Sequence, residues 1–249
     1  MTGSRSLAVI VPMFNEERNA ERCVSAILPV LSHQLPSARL FVVNDGSTDG
    51  TDAILRGLLA GGKDFQYVPC ERNQGYGAAL VAGARAALGA GYEFGLFMDS
   101  DLTNDPALIP RFAERLAGGQ LDLLKASRYV PGGGMEGVPL RRQLPSRLGN
   151  WLAARLFGMG LHDLTNGFRA VRLSMIADVQ FRERGFPQIL EEMVELKRRG
   201  ARAAELPYVL TSRADPEAAS KFSYRPSVVL RYLKYAVQAA RVPYRPRAG

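Results

Sequence analysis

Cysteine is nearly absent from this chain, and the little there is carries no pattern. Cys23 and Cys70 are neither closely paired nor at metal-ligand spacing. That excludes a disulfide-stapled scaffold and a cysteine metal centre, and leaves two buried or incidental thiols suited to a reducing compartment. Long apolar runs are missing too. No uninterrupted stretch approaches the roughly 20 residues that a bilayer-spanning helix needs, so the chain is not expected to cross a membrane by itself. The apolar run Leu7 to Met13 is too short for a signal peptide and lacks a cleavage pattern. No internal repeat or low-complexity linker interrupts the sequence. Acidic residues stop at Glu217, whereas Lys221, Arg225, Arg231, Lys234, Arg241, Arg245 and Arg247 follow it.

What is present is a globular composition. The 249 residues are 47% hydrophobic and 22% charged, enough for one large domain or one domain with an appended segment. The net charge of +8, with a pI near 9.8, suits a polyanionic partner: a nucleotide, an anionic membrane surface or nucleic acid. The basic residues form no recognised nucleic-acid motif, and an acidic edge opposes one, so nucleic acid is not an expected partner.

The first 130 residues alternate strand-like and helix-like segments. Leu7 to Pro12, Leu40 to Val43, Phe65 to Pro69, Phe94 to Met98 and Leu121 to Ala126 read as strands. Helices are expected from Asn15 to about Leu31, Asp49 to Leu59, Ala78 to Leu88 and Pro106 to Ala117. That order predicts a parallel sheet covered by helices. Further on, helices are expected over Pro145 to Phe157, Pro187 to Arg199 and Ser227 to Ala240, with a strand over Ala203 to Leu210.

Three acidic turns follow strands of this sheet: Pro12-Met13-Phe14-Asn15-Glu16, Asn44-Asp45-Gly46-Ser47 and Asp99-Ser100-Asp101. In a parallel sheet their strand ends share one edge, where open α/β folds place ligands. Side chains alternate along a strand, so Asp99 and Asp101 are expected on one side, as a hard-oxygen site for a divalent cation that also holds phosphates. Asp45 and Glu16 can accept hydrogen bonds from a base or ribose. Each turn alone is equally ordinary turn or helix-cap chemistry. Together they point to an enzyme that handles a diphosphate.

Longer motifs carry a resemblance. Asn44-Asp45-Gly46-Ser47-Thr48-Asp49-Gly50 resembles the DDGSxDGT segment of family 2 glycosyltransferases, and Met98-Asp99-Ser100-Asp101-Leu102 resembles their MDADL metal motif. Ser127-Arg128-Tyr129, Arg142 with Ser146-Arg147 and Gly149-Asn150, Asp163 to Arg169, Glu205 with Arg213, and Ser220-Lys221 resemble segments of the dolichol-phosphate mannose synthase-like branch, whose members make polyprenyl-phosphate sugars. The resemblance implies a GT-A (Rossmann-like) α/β fold: a mixed, mainly parallel sheet flanked by helices. Residues 1–220 would form the glycosyltransferase domain, and 221–249 a basic amphipathic helix and tail.

By that resemblance Pro12, Asn15, Glu16, Asp45 and Ser100 line the nucleotide pocket. Asp99 and Asp101 hold Mg2+ or Mn2+ and the diphosphate. Arg128, Arg142 and Arg147 grip the acceptor phosphate or steady the leaving diphosphate. Arg213 and Lys221 close over the nucleotide. Arg169 joins the catalytic set, and Glu191 faces the sugar or orders the arginines. The implied partners are a nucleotide-sugar donor (GDP-mannose or a UDP-hexose), a polyprenyl phosphate acceptor and a cytoplasmic membrane surface, with a membrane-anchoring partner or a second copy as further candidates. The chain departs from the family pattern at Asn44 (for Asp), at Ile189 (for Gln) and in a longer segment from Arg213 to Lys221. The alternative readings are a UDP-glucose-dependent polyprenyl-phosphate glucosyltransferase and a family 2 transferase acting on a soluble hydroxyl or natural-product acceptor. The arginines can equally form a solvated helix face, and the tail an ordinary helix packed on the domain.

Overall fold

In the computed structural model, which describes residues 6–211 and 226–247 (backbone alone at 141, 142, 226, 227 and 229), strand and helix alternate from the start. The first elements are β1 (Leu7–Met13), α1 (Ala20–Gln34), β2 (Arg39–Asn44), α2 (Thr51–Ala60), β3 (Gln66–Pro69), α3 (Tyr76–Gly89) and β4 (Phe94–Phe97). A 3-10 turn (Pro106–Leu108) leads into α4 (Ile109–Ala117) and β5 (Leu123–Ser127). The second half holds β6 (Gly134–Met135), α5 (Leu140–Phe157), β7 (Arg169–Arg172), α6 (Gln188–Arg198), β8 (Ala203–Pro207), β9 (Val209–Leu210) and α7 (Pro226–Ala240).

Seven strands make one sheet in the order β3-β2-β1-β4-β7-β5-β8. All neighbours are parallel except β7, which runs antiparallel to both β4 and β5. β6 and β9 pair separately. β1 is buried along its whole length because both faces are covered, which is why its sequence is a continuous apolar run. Alternate residues feed two cores. Val9, Val11, Val42, Leu96 and Ala170 pack with Val24 and Ile27 of α1 and Phe112 of α4. Ile10, Phe41, Val43, Phe97 and Val171 pack with Leu80 of α3, Phe157 of α5, Met193 of α6 and Ala239 of α7. Among the described residues no helix is long and apolar enough to cross a membrane.

The expected mixed, mainly parallel α/β architecture is present, with local differences. α1 begins at Ala20 rather than near Asn15, because Asn15 has a left-handed φ of +52°, in a turn whose Asn15 and Glu16 amides are bound by Ser47 Oγ and Thr51 Oγ1 (3.0 and 2.8 Å). α5 starts at Leu140, ahead of Pro145, which sits inside it. The strand expected over Ala203 to Leu210 is divided at Tyr208, whose amide bonds Ser127 O while its carbonyl accepts from Gly134 N. β7 has no counterpart in the sequence reading. The boundary expected at residues 220 and 221 lies outside the described residues. α7 itself packs on α5 and α6, with Tyr235, Ala236 and Ala239 buried.

Candidate active site

The ends of β1 and β2 are tied into one edge. Ile10 O accepts from Met98 N at 3.0 Å, so Pro12, two residues on, faces the side on which β4 has ended. A residue without an N–H costs no ladder bond there. Asn15 follows with φ +52°, a left-handed conformation Asn tolerates, and its Oδ1 accepts from Thr48 N at 2.8 Å. Glu16 Oε2 accepts from Asn19 at 2.7 Å.

Asp45, expected to line the nucleotide pocket, is engaged by the backbone of a neighbouring turn. It is buried, and its two oxygens accept from the amides of Gln74 and Gly75 at 2.9 and 2.8 Å. It fastens the glycine turn that starts α3, where Gly75 has φ +100° and lies against the Arg184 carbonyl. No side chain larger than hydrogen fits there. Asn44, the departure from the family pattern, accepts from Ser47 N at 3.0 Å and donates to Tyr67 at 2.9 Å.

Asp99, Ser100 and Asp101 lie in a turn beyond β4, so the expected alternation along a strand is not what places the two carboxylates. Side-chain caps place them. Asn104 Oδ1 accepts from Asp99 N at 2.8 Å, and Asp101 Oδ1 accepts from Thr103 N (3.1 Å) and Thr103 Oγ1 (2.7 Å). Tyr208 Oη, from the residue between β8 and β9, donates to Thr103 O at 2.6 Å and pins the same turn. Leu102 at φ +59° completes the reversal. Ser100 is buried. The Tyr76 hydroxyl donates to Asp99 Oδ1 at 3.0 Å. Burial, followed by the charge of Asp99, raises the Tyr76 phenol well above its ordinary range and keeps it a donor.

The fields of these turns converge. The Cys23 thiol beneath them is pushed up to about 12, first by burial and then by Asp101, Glu16 and Asp99. That negative potential fits a divalent cation. Among the described residues no three acidic, histidine or cysteine side chains form a closed metal cage. Two hard carboxylates suit Mg2+ or Mn2+, which take their remaining ligands from phosphates and water.

Two expected phosphate-gripping or catalytic arginines are committed elsewhere. Arg128 clamps Asp163 with Nε and Nη2 at 2.7 and 2.8 Å, the side chains 14% and 0% exposed. Burial disfavours its charge, yet Asp163 more than offsets that and raises its pKa. Glu205 holds the His162 and Asp163 amides, both at 2.9 Å, so β8 sets the clamp. Arg169, expected at the catalytic centre, is enclosed. Its Nε and Nη2 meet Glu192 at 2.6 and 2.8 Å, and its guanidinium lies 4.6 Å from the Phe97 ring centre. In both, the guanidinium faces a carboxylate of the chain itself. Glu191 accepts from the amides of Arg182 and Glu183. Arg147 is exposed on α5. The side chain of Arg142, and all of Arg213 and Lys221, lie outside the described residues.

Sequence reasoning missed Tyr76, Asn104 and Tyr208. The signal for Tyr76 was present: an aromatic directly after a glycine turn that opens on the same edge.

Residues 8–180 match the family described as glycosyl transferase family 2. The chain belongs to glycosyl transferase family 2. It is 35% identical over 172 residues to polyprenol monophosphomannose synthase of Mycolicibacterium smegmatis, covering 69% of this chain and 63% of that one, under two thirds of the relative's length. It is 28% identical over 207 residues to undecaprenyl-phosphate mannosyltransferase of Micrococcus luteus, covering 82% and 83%. Among solved structures, glucosyl-3-phosphoglycerate synthase from Mycobacterium tuberculosis with Mn2+, uridine diphosphate and phosphoglyceric acid superposes with a TM-score of 0.69 at 21% identity, covering 97% of this chain and 81% of that one. The shared architecture is the GT-A fold.

Proposed function

We propose that this glycosyltransferase moves a hexose with inversion, mannose from GDP-mannose, onto the phosphate of a polyprenyl lipid at a membrane surface. The observation that carries this is α5. Its outward residues Leu140, Leu144, Leu148, Trp151 and Leu152 are exposed, with Arg147 and Arg155 beside them. The helix is also fastened to the acidic edge. Asn150 Oδ1 accepts from Leu164 N and Thr165 N (2.9 and 3.2 Å), just ahead of Gly167, where a Cβ would lie 4.0 Å from Asp99 Oδ1. Tyr129 and Ser146 bond at 2.7 Å and tie the end of β5 to the same helix. α7, packed alongside, exposes Leu230, Leu233 and Val237 and carries Arg231 and Lys234. An apolar stripe flanked by cations suits an anionic lipid surface, with Trp151 at the interface. Both curated relatives are named for polyprenol or undecaprenyl phosphate and mannose.

The chemistry fits these parts. An acceptor phosphate oxygen attacks C1 of the sugar as the bond from C1 to the nucleoside diphosphate breaks. The acceptor is already anionic and needs no general base. It needs cations to approach the diphosphate, and in this reading Arg147, exposed on α5, supplies one, guanidinium being matched to phosphate. Arg142, Arg213 and Lys221 are assigned to the same anions by resemblance. Asp99 and Asp101 would hold Mg2+ or Mn2+, which supplies neutralisation of the leaving diphosphate when bound. Arg128 and Arg169 keep the loops around these groups in place.

The test is a matrix of radiolabelled GDP-mannose, UDP-glucose and UDP-N-acetylglucosamine against a short polyprenyl phosphate, with and without Mn2+. Mn2+-dependent label in the organic phase from GDP-mannose supports the full reading. Label from UDP-glucose instead overturns the donor and keeps the acceptor. No label in lipid from any donor rejects the acceptor.

A further inference from the structure

Tyr76 is the first residue of α3 and does two things at once. Its hydroxyl donates to Asp99 Oδ1 at 3.0 Å. Its ring stacks on Phe186, with centroids 4.5 Å apart and planes 24° from parallel. Gly167 leaves the phenol its space, since a Cβ there would stand 3.0 Å from the hydroxyl. Phe186 belongs to a segment, residues 182–187, that is held on both sides. On one side Gly77 N donates to Arg184 O at 2.7 Å. On the other, Glu183 accepts from Tyr235 Oη at 3.1 Å and Arg231 Nη1 at 3.2 Å, both on α7. Glu191 caps the segment from α6 through the amides of Arg182 and Glu183.

A carboxylate on a metal is useful only when its rotamer is fixed, and the group that donates to it does the fixing. We propose that Tyr76 is a positioning residue for the divalent cation. Its hydroxyl sets the orientation of Asp99, and its stacked ring makes that orientation depend on residues 182–187 and, through Glu183, on α7. The inference rests on Asp99 being a cation ligand, as the proposed function has it. It adds a mechanical link from the helix that exposes Leu230, Leu233 and Val237 to the diphosphate end of the site.

The experiment is Mn2+-dependent binding of GDP and, in parallel, UDP to full-length protein. It is followed by calorimetry and by loss of the free Mn2+ electron-spin signal, in wild type, Tyr76→Phe and Phe186→Leu. Tyr76→Phe keeps the ring and removes the donor. The Mn2+ concentration for half-saturation is expected to rise about tenfold, the low end for loss of an outer-shell partner. Nucleotide affinity at saturating Mn2+ should stay within about twofold of wild type, and the thermal midpoint should hold. Phe186→Leu keeps the donor and loosens its support, and should raise the same requirement by about threefold. A Mn2+ requirement in Tyr76→Phe equal to or below wild type overturns the positioning role alone. Equal weakening at every Mn2+ concentration, with a lowered thermal midpoint, also overturns it, since that marks a merely structural tyrosine. If wild type binds neither nucleotide more tightly with Mn2+, the reading of Asp99 as a cation ligand falls, and this inference with it.

Discussion

Replacing Glu192 by Gln tests how the floor of the site is held. Arg169 and Glu192 are 0% and 1% exposed and joined by two charge-assisted bonds of 2.6 and 2.8 Å. Arg169 also donates to Gly167 O at 2.9 Å, beside Asp99. Glutamine keeps the shape of the side chain. It turns an N–H toward one of the arginine donors and leaves the guanidinium charge uncompensated among Phe97, Tyr76 and Lys125. Breaking one half of a buried pair costs about 3–5 kcal/mol. For a chain of this size each kcal/mol is worth about 2–4 °C, so the thermal midpoint should fall by roughly 6–20 °C. Lys125 limits the loss. Burial, aided by Arg169, already lowers its pKa to about 7, and the added field presses it further toward the neutral amine. The double variant Arg169→Met/Glu192→Leu removes both charges and should recover most of the stability, to within about 1–2 kcal/mol of wild type. Urea unfolding followed by circular dichroism measures all three proteins. A Glu192→Gln loss below about 1 kcal/mol, or a double variant no better than the single, would mean that the buried pair does not hold the floor of the site.

Asp101→Ala should abolish Mn2+-dependent nucleotide binding and cost only about 1 kcal/mol of stability, for the lost cap on Thr103, as read by calorimetry and thermal melts. Arg147→Ala should raise the KM for polyprenyl phosphate about tenfold or more with donor KM unchanged; a shift in donor KM instead would move Arg147 to the nucleotide side. Leu148→Asp and Lys234→Gln should each weaken sedimentation with anionic liposomes, by about fivefold for the single charge lost at Lys234. Asp122 is held at about 2: burial alone would raise it, but hydrogen bonds from Arg202 and then Arg172 more than offset that. Its folded value is depressed, so its contribution, on the order of 2 kcal/mol, is complete above pH 4 and lost as pH falls toward 2. Asp122→Asn should flatten that part of the acid limb in unfolding experiments. For Lys125 the unfolded chain keeps a proton that the folded chain releases between about pH 7 and the ordinary lysine value of 10.5, so stability rises with pH across that window. The stability difference between wild type and Lys125→Met should therefore change in favour of wild type from pH 7 to pH 10.

Much of the fold was legible because β1, β2 and β4 are buried on both faces and their apolar runs announce it. β7 was not legible. Its four residues begin and end in arginine, and the Glu192 carboxylate, 23 positions away, is what offsets the buried charge of Arg169 inside the sheet. The acidic turns were legible as chemistry, but their geometry was not. Asp45 looked free to meet a nucleotide because the sequence cannot show that the amides of Gln74 and Gly75 reach it. The ion pair of Arg128 was hidden for the same reason, its partner Asp163 standing 35 residues on. A charge in a motif tells that a charge is needed; only the fold tells whether it faces substrate or another side chain.

A lipid phosphate, and no hydroxyl, is the proposed acceptor. The direct measurement is mass spectrometry and NMR of the product formed from GDP-mannose, Mn2+ and a short polyprenyl phosphate, beside the matching polyprenol and a water-soluble alcohol. A mannosyl phosphodiester of inverted anomeric configuration is expected from the phosphate, and nothing from either alcohol. A glycoside of either alcohol, with the polyprenyl phosphate left unmodified, would contradict that assignment.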